Sequence, residues 1–208
     1  MRHLEILVEE PSTTIVLQEL LLKLIANRGT FCIRNFGSKP QLLRALPDRL
    51  RGYARRIRQD TDLRIVVLVD EDRDRRGCRA LKSELESIAC DVGLSTKTRP
   101  KQDGSFDVVT RLAIEELEAW LLGDVEAIRA EYDRIPASLA QRKGLRDPDA
   151  VTGGTCERVH RILKEYGYHQ AYLPKTEFAR RVVPYLDPER NRSRSFAVFR
   201  AGIEAILE

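Results

Sequence analysis

Several things are scarce in this chain, and each scarcity closes off a class of function. The only cysteines are Cys32, Cys78, Cys90 and Cys156, far apart and with no CxxC pair. Neither a zinc ribbon nor a disulfide framework is therefore indicated, and reduced, mostly buried thiols are expected. Histidine is scarcer still, and His3, His160 and His169 do not stand at metal-ligand spacing. No apolar run approaches the ~18 residues that a membrane span requires. The chain opens on a strand-like segment instead of a signal peptide, so a cytoplasmic protein without a membrane partner is expected. There is no internal repeat and no low-complexity tail.

An excess of one charge is also missing. Lys+Arg number 36 against 32 Asp+Glu, a net charge of +4 in a chain whose residues are 33% charged. Such a surface suits an enzyme that keeps a basic track beside an acidic metal site, and it equally serves solubility alone. With 208 residues, 42% of them hydrophobic, there is enough apolar material for one good core.

What the chain does have is an alternation of buried strands and amphipathic helices over its first 120 residues. Residues 3–8 (HLEILV) are a short apolar run followed by Glu9-Glu10-Pro11-Ser12, which reads as strand, turn and helix start. Leu17, Leu20, Leu21, Leu24 and Ile25 recur at helical spacing, and Gly29 stops that helix before a second β-rich run. Pro40 opens another helix, Pro47 is expected to interrupt it, and Asp48 to cap a second piece. Residues 63–69 (LRIVVLV) have the continuous β-branched pattern of a central strand covered on both faces. After a helix through Leu81, Leu85 and Ile88, two β-like runs at 94–98 and 106–114 flank Gln102-Asp103-Gly104 and suggest an edge hairpin. From Glu115 onward the pattern is helical. The expected fold is α/β, a mainly parallel Rossmann-like sheet with flanking helices over 1–124, followed by a helical C-terminal cap or subdomain over 125–208.

In open α/β sheets, ligands bind beyond the carboxyl ends of the strands. Both strongly apolar strands end there in acid: Glu9 follows LEILV, and Asp70-Glu71-Asp72-Arg73-Asp74 follows LRIVVLV. If the two strands are parallel neighbours, Glu9, Asp70 and Asp72 converge, and their repulsion calls for a cation between them. Oxygen-only donors favour Mg²⁺ or Mn²⁺, held by Asp70 and Asp72 with help from Asp74, while Glu9 joins the metal or serves as a base. Glu10, Glu116 and Glu118 are further candidate ligands. The competing reading is a solvated loop in which Asp72 and Asp74 pair with Arg73, Arg75 and Arg76.

These motifs, Glu9 in ILVEEPST and Asp70-Glu71-Asp72 in VLVDEDRD, resemble the Toprim fold of primases, topoisomerases and overcoming-lysogenization-type nucleases. With the acidic-tryptophan run Ile114-Glu115-Glu116-Leu117-Glu118-Ala119-Trp120, the chain is similar to a small Toprim-like family often encoded beside an ATPase in phage-defence operons. The resemblance implies a Mg²⁺-dependent nuclease with Glu9, Asp70 and Asp72 as catalytic residues, nucleic acid as substrate, an ATPase as partner, and dimers or larger assemblies. Where the Toprim motif has glycine this chain has Glu10, and Thr14 replaces a frequent second acid. That departure motivates the alternative, a catalytically inactive Toprim-like module that docks an ATPase.

Other residues carry two readings each. Arg49, Arg51, Arg55, Arg56 and Arg58 can track a phosphate backbone or form a solvated helix face. Lys175, Arg180, Arg192 and Arg194 can line the helical part where it faces the acids, which makes Lys175 and Arg192 further nucleic-acid contacts. Thr152-Gly153-Gly154-Thr155 can cradle a phosphate, or be a glycine turn capped by Thr155. Trp120 is expected in the core.

Overall fold

The computed structural model describes residues 1–72 and 77–208. Four strands, β1 (Arg2–Val8), β2 (Gly29–Asn35), β3 (Leu63–Asp70) and β4 (Val108–Ala113), form one parallel sheet in the order β2-β1-β3-β4. Between them run α1 (Pro11–Ile25), α2 (Lys39–Ile57) and α3 (Gly77–Asp91). After β4 come α4 (Glu118–Gly123), α5 (Val125–Glu131), α6 (Thr155–Glu165), α7 (Lys175–Val182) and α8 (Arg194–Leu207). This is the parallel α/β fold with a helical C-terminal part that the alternation of apolar runs implies.

Side-chain alternation along the strands divides the core into two layers. On one face Leu4, Ile6 and Val8 of β1 and Val66 and Leu68 of β3 pack with α1 and the C-terminal helices. On the other face Leu7, Ile65, Val67 and Val69 pack with Leu42, Leu46 and Leu50 of α2 and Leu81 and Leu85 of α3. All eight residues of β3 are buried, as a strand covered on both sides must be. The helix that leaves β1 lies on the opposite face from the helix that leaves β2, as right-handed crossovers in opposite directions require. The chain order therefore reverses between β1 and β3, the topological switch point of the sheet.

Two local expectations are corrected. Pro47 does not divide α2, which runs unbroken over 19 residues with Pro47 inside it. The buried spine Leu42, Leu46, Leu50 and Tyr53 continues across the proline, and burying it outweighs the ~3 kcal/mol cost of an interior proline. Nor do residues 94–98 and 106–114 form a hairpin. β4 pairs in parallel with β3, and the earlier run contributes only bridges from Thr96 to Arg99 and to Val108. Buried Asp107 holds that excursion in place, accepting from the Ser95 N–H at 2.9 Å and pairing with Lys101 at 2.7 Å. An apolar run next to a glycine turn looks the same whether it pairs with its predecessor or crosses over, so periodicity could not separate the two. Among the described residues no helix is long and apolar enough to cross a membrane.

Candidate functional site

Because the sheet is parallel, the ends of β1, β3 and β4 open on one rim. Val8 is in register with Leu68, so Glu9 lies next to the end of β3, and its carboxylate accepts a hydrogen bond from the Asp70 N–H. The ladder continues past the strands, with the Glu71 N–H donating to the Ala113 carbonyl and the Asp72 N–H to the Glu115 carbonyl, both at 2.8 Å. Asp72 and Glu115 both adopt positive φ, 49° and 62°. This left-handed backbone is costly for side-chain-bearing residues, and it turns two acid-bearing segments toward one another.

Glu9, Asp70 and Glu118 are all buried, at 3%, 4% and 3% exposure, so the rim withdraws three carboxyl groups from water. Burial pushes the Glu9 carboxyl up to about 7, against the Asp70 N–H and Lys39, which favour its charged form. Burial pushes Glu118 up to about 7 as well, with Lys175 opposing and Glu116 adding to the rise. Asp70 is raised well above the usual carboxylate range by burial and by the charges of Glu9, Glu118, Asp72 and Glu10. Glu116 goes the other way. Burial works to raise it, but the Cys156 N–H, Lys175 and the Thr155 N–H together hold it below its ordinary value.

Two lysines balance the acids. Lys39, the first residue of α2, reaches Asp72 at 2.9 Å and donates to the Glu71 carbonyl at 3.2 Å. Lys175, the first residue of α7, reaches Glu116 at 3.1 Å and Glu118 at 4.0 Å. Asp72, Glu115, Glu116, Gly153, Gly154 and Glu157 line a cleft of about 250 Å³ at this rim.

The structure thus draws Glu9, Asp70, Asp72, Glu116 and Glu118 into one electrostatic group, with Glu10 beside it. Asp74 lies outside the described residues, as do Arg73, Arg75 and Arg76, the salt-bridge partners proposed for the loop. Lys39 is a site residue that the sequence reading passed over. Its signal was position, since a helix following β2 begins on the same rim as Glu9. Lys175 meets carboxylates here. Arg192 does not face the acids, because its guanidinium is taken up by the carbonyls of Ala140, Leu145, Arg146 and Leu122. α2 starts at the rim and runs back along the sheet, so at 1.5 Å per residue its last turn, with Arg55 and Arg58, lies roughly 25 Å away. Arg49 sits over the Phe36 ring, Arg51 pairs with Asp48, and Arg56 pairs with Glu5.

The glycine turn 152–155 also departs from expectation. Gly154 caps α6 with φ 87°, while the Thr155 hydroxyl caps nothing. The Cys156 N–H donates to Glu116 at 2.8 Å, so the start of this helix holds one of the chain's own carboxylates, in the manner of a helix N-terminus binding an anion. Trp120 is fully buried as expected. It donates to Ser195 Oγ at 2.8 Å and packs against Phe196 and Phe199.

The donor set suits a hard divalent cation. It consists of carboxylates, and the nearby Cys156 thiol is pushed up to about 12 by burial and by Glu118, so it is no soft ligand at neutral pH. Two buried hydroxyls, Thr13 Oγ1 in the first turn of α1 and Thr155 Oγ1 at the start of α6, find no hydrogen-bond partner among the described residues, and both helices begin near the rim. Among the described residues, no three Asp, Glu, His or Cys side chains are gathered round one point as a metal site would gather them.

The model of one protein family, described as a domain of unknown function (DUF4276), matches residues 8–204. The chain belongs to that family. The match begins one residue before Glu9 and runs into α8, so the family's unit takes in both the sheet rim and the helices that carry Lys175. No curated protein and no solved structure matches the chain.

Proposed function

We propose that this DUF4276 chain is a divalent-metal-dependent phosphodiesterase of Toprim type that acts on nucleic acid. One observation carries the reading: Glu9, Asp70 and Glu118 are all buried at the rim where the strands of a parallel sheet end, and among the described residues too little positive charge reaches Asp70 to offset its burial and its acidic neighbours. Asp70 and Asp72 would hold Mg²⁺ or Mn²⁺, with Glu118 and Glu116 closing the side nearest α4. A metal held there would supply Lewis-acid chemistry toward a phosphate and a water. Glu9, raised to about 7 by burial, would be the group able to take up or give a proton at the rim. Lys39 holds Asp72 in place, and Lys175 does the same for Glu116. An ATPase partner, self-association and a cytoplasmic setting belong to this same proposal.

The test is cleavage of supercoiled plasmid, single-stranded DNA and RNA with Mg²⁺ or Mn²⁺. Asp70→Asn and Glu9→Gln are each expected to lower the rate by about 100-fold or more. Cleavage that needs no metal, or that survives both substitutions, removes the idea.

A second reading, the inactive Toprim-like module that docks an ATPase, is favoured by the lysines themselves, since Lys39 and Lys175 occupy the carboxylates a metal would need. It expects no cleavage, and neither calorimetric binding of Mn²⁺ nor thermal stabilisation by it.

A further inference from the structure

β4 is one of the two edge strands of the sheet, and a second, larger cavity of about 480 Å³ lies against it. Its walls come from the first turns of α3, the far end of β4, and the first turns of α8. Leu112, Ile114 and Val198 supply aliphatic surface, while Arg79, Lys82, Arg111 and Arg194 supply positive charge. The cavity meets the acidic cleft at a single turn: Ile114 lines one, and Glu115 and Glu116 line the other. Neither Glu9 nor Asp70 lines it.

Arg111 is the informative residue. It is 7% exposed, and a guanidinium cannot shed its proton to escape the cost of burial. Its Nε donates to the Val198 carbonyl at 2.9 Å and its Nη1 to the Thr110 carbonyl at 2.7 Å. Among the described residues Nη2 finds no acceptor, and no carboxylate forms an ion pair with Arg111. Glu86, which favours its charge from a distance, is already held by Lys82 at 2.6 Å and by the hydroxyls of Thr98 and Thr110. Arg79 and Arg194 likewise have no ion-pair partner among the described residues. The start of α8 is no free anion site, because Asp149 accepts from the Ser195 N–H and from the Ser193 hydroxyl, both at 2.7 Å. Among the described residues, the arginines without an ion-pair partner therefore line the cavity, and they outnumber the two carboxylates, Asp147 and Asp149, that line it too.

We propose that this cavity binds a nucleoside monophosphate, with its phosphate on Arg111, Arg79 and Arg194 and its base against Leu112, Ile114 and Val198. The volume falls in the range of small-ligand sites. Inorganic phosphate would leave the aliphatic wall uncovered, and a triphosphate would bring surplus negative charge against Asp147 and Asp149. Arg–phosphate pairs are strong enough to hold one such group in a partly dry site.

The experiment is calorimetric titration of the full chain in EDTA with AMP, adenosine, inorganic phosphate and ATP. AMP is expected to bind with a dissociation constant below about 1 mM, and each of the other three about tenfold more weakly or less. Arg79→Ala and Arg194→Ala, both at the surface, are each expected to weaken AMP about tenfold, and Asp70→Asn to leave it unchanged. Arg111→Met should abolish binding; if that buried change unfolds the protein, the two surface variants still decide. No heat from AMP, GMP or CMP up to about 5 mM overturns the proposal, as does AMP binding indifferent to Arg79→Ala and Arg194→Ala. Binding lost in Asp70→Asn instead would place the nucleotide in the acidic cleft and overturn it too. Because EDTA removes any metal, failure of the phosphodiesterase reading leaves this outcome untouched.

Discussion

Glu9, Asp70 and Glu118 are easier to bury protonated than charged, and this gives the metal-free protein an unusual response to pH. A carboxyl whose pKa is higher folded than unfolded contributes most to stability below its unfolded value, and that contribution is lost as pH rises through the folded value. For Glu9 and Glu118 the window runs from 4.5 to about 7. Lys39, Lys175, Asp72, Glu10 and Glu116 face these groups and set the net repulsion. Carboxyls held low elsewhere, Glu5, Glu86 and Asp107, lose their contribution only as pH falls below the ordinary range, outside this window. The melting temperature in EDTA is therefore expected to fall between about pH 5 and pH 8 by several degrees, since ~1 kcal/mol moves a domain of this size by 2–4 °C. Asp70→Asn should flatten the slope, and Mn²⁺ should restore more stability at the higher pH. A flat profile shared by wild type and Asp70→Asn would mean that the rim carboxylates do not strain one another. At this scale the sequence exposed Glu9, Asp70 and Asp72 because each follows an apolar run. It hid Lys39, whose relevance depends on which rim α2 starts from.

Among the elements, α2 links the sequence to the site in two opposite ways. Its first residue enters the acidic group, whereas its arginines spread along a helix that leads away from the rim. Arg55 and Arg58 are exposed and have no ion-pair partner among the described residues. A nucleic acid bound at the rim reaches them only if it runs along α2, which at ~3.4 Å per base pair takes about 8 base pairs. Arg55→Ala combined with Arg58→Ala is expected to weaken binding to a duplex of about 30 base pairs and to reduce its salt slope by about 2, with a hexanucleotide unaffected. Fluorescence anisotropy across a salt series measures both, and equal losses for the two lengths would show that these arginines do not form a track. The clustering was legible in the sequence; the direction in which the cluster lies was not. The same helix shows the limit of local rules, since Pro47 reads as a break and a continuous buried spine overrides it.

Across the whole molecule, the helical part shares the core of the sheet. Leu17 and Leu20 of α1, Val109 of β4, Trp120, Phe178 of α7 and Phe199 of α8 belong to one buried cluster. Lys23 of α1 donates to the carbonyls of Pro184 and Leu186 at 2.9 and 2.8 Å, fastening that helix to the segment after α7. A chain ending at residue 124 would uncover Trp120 and the faces of α1 and β4 on which α7 and α8 pack, a contiguous apolar surface of the kind soluble monomers rarely expose. That fragment is expected to be insoluble or to lack a cooperative melt, checked by calorimetry and near-UV circular dichroism. A sharp, reversible transition in the fragment would show instead that 1–124 folds on its own.

The apolar runs and their terminal acids, read from the sequence alone, determined that strands and helices alternate, that the sheet is mainly parallel, and that acid accumulates where its strands end. They could do so because burial imposes a period on each element and a parallel sheet delivers every strand end to the same side. Which strands are neighbours was decided only in three dimensions. With it were decided the meeting of Glu9 with Asp70, the reach of Lys39 and Lys175 into the group, the burial of Glu118, and the burial of Arg111 beside a cavity. Each of these depends on a distance between residues remote in the chain, and no local pattern encodes such a distance.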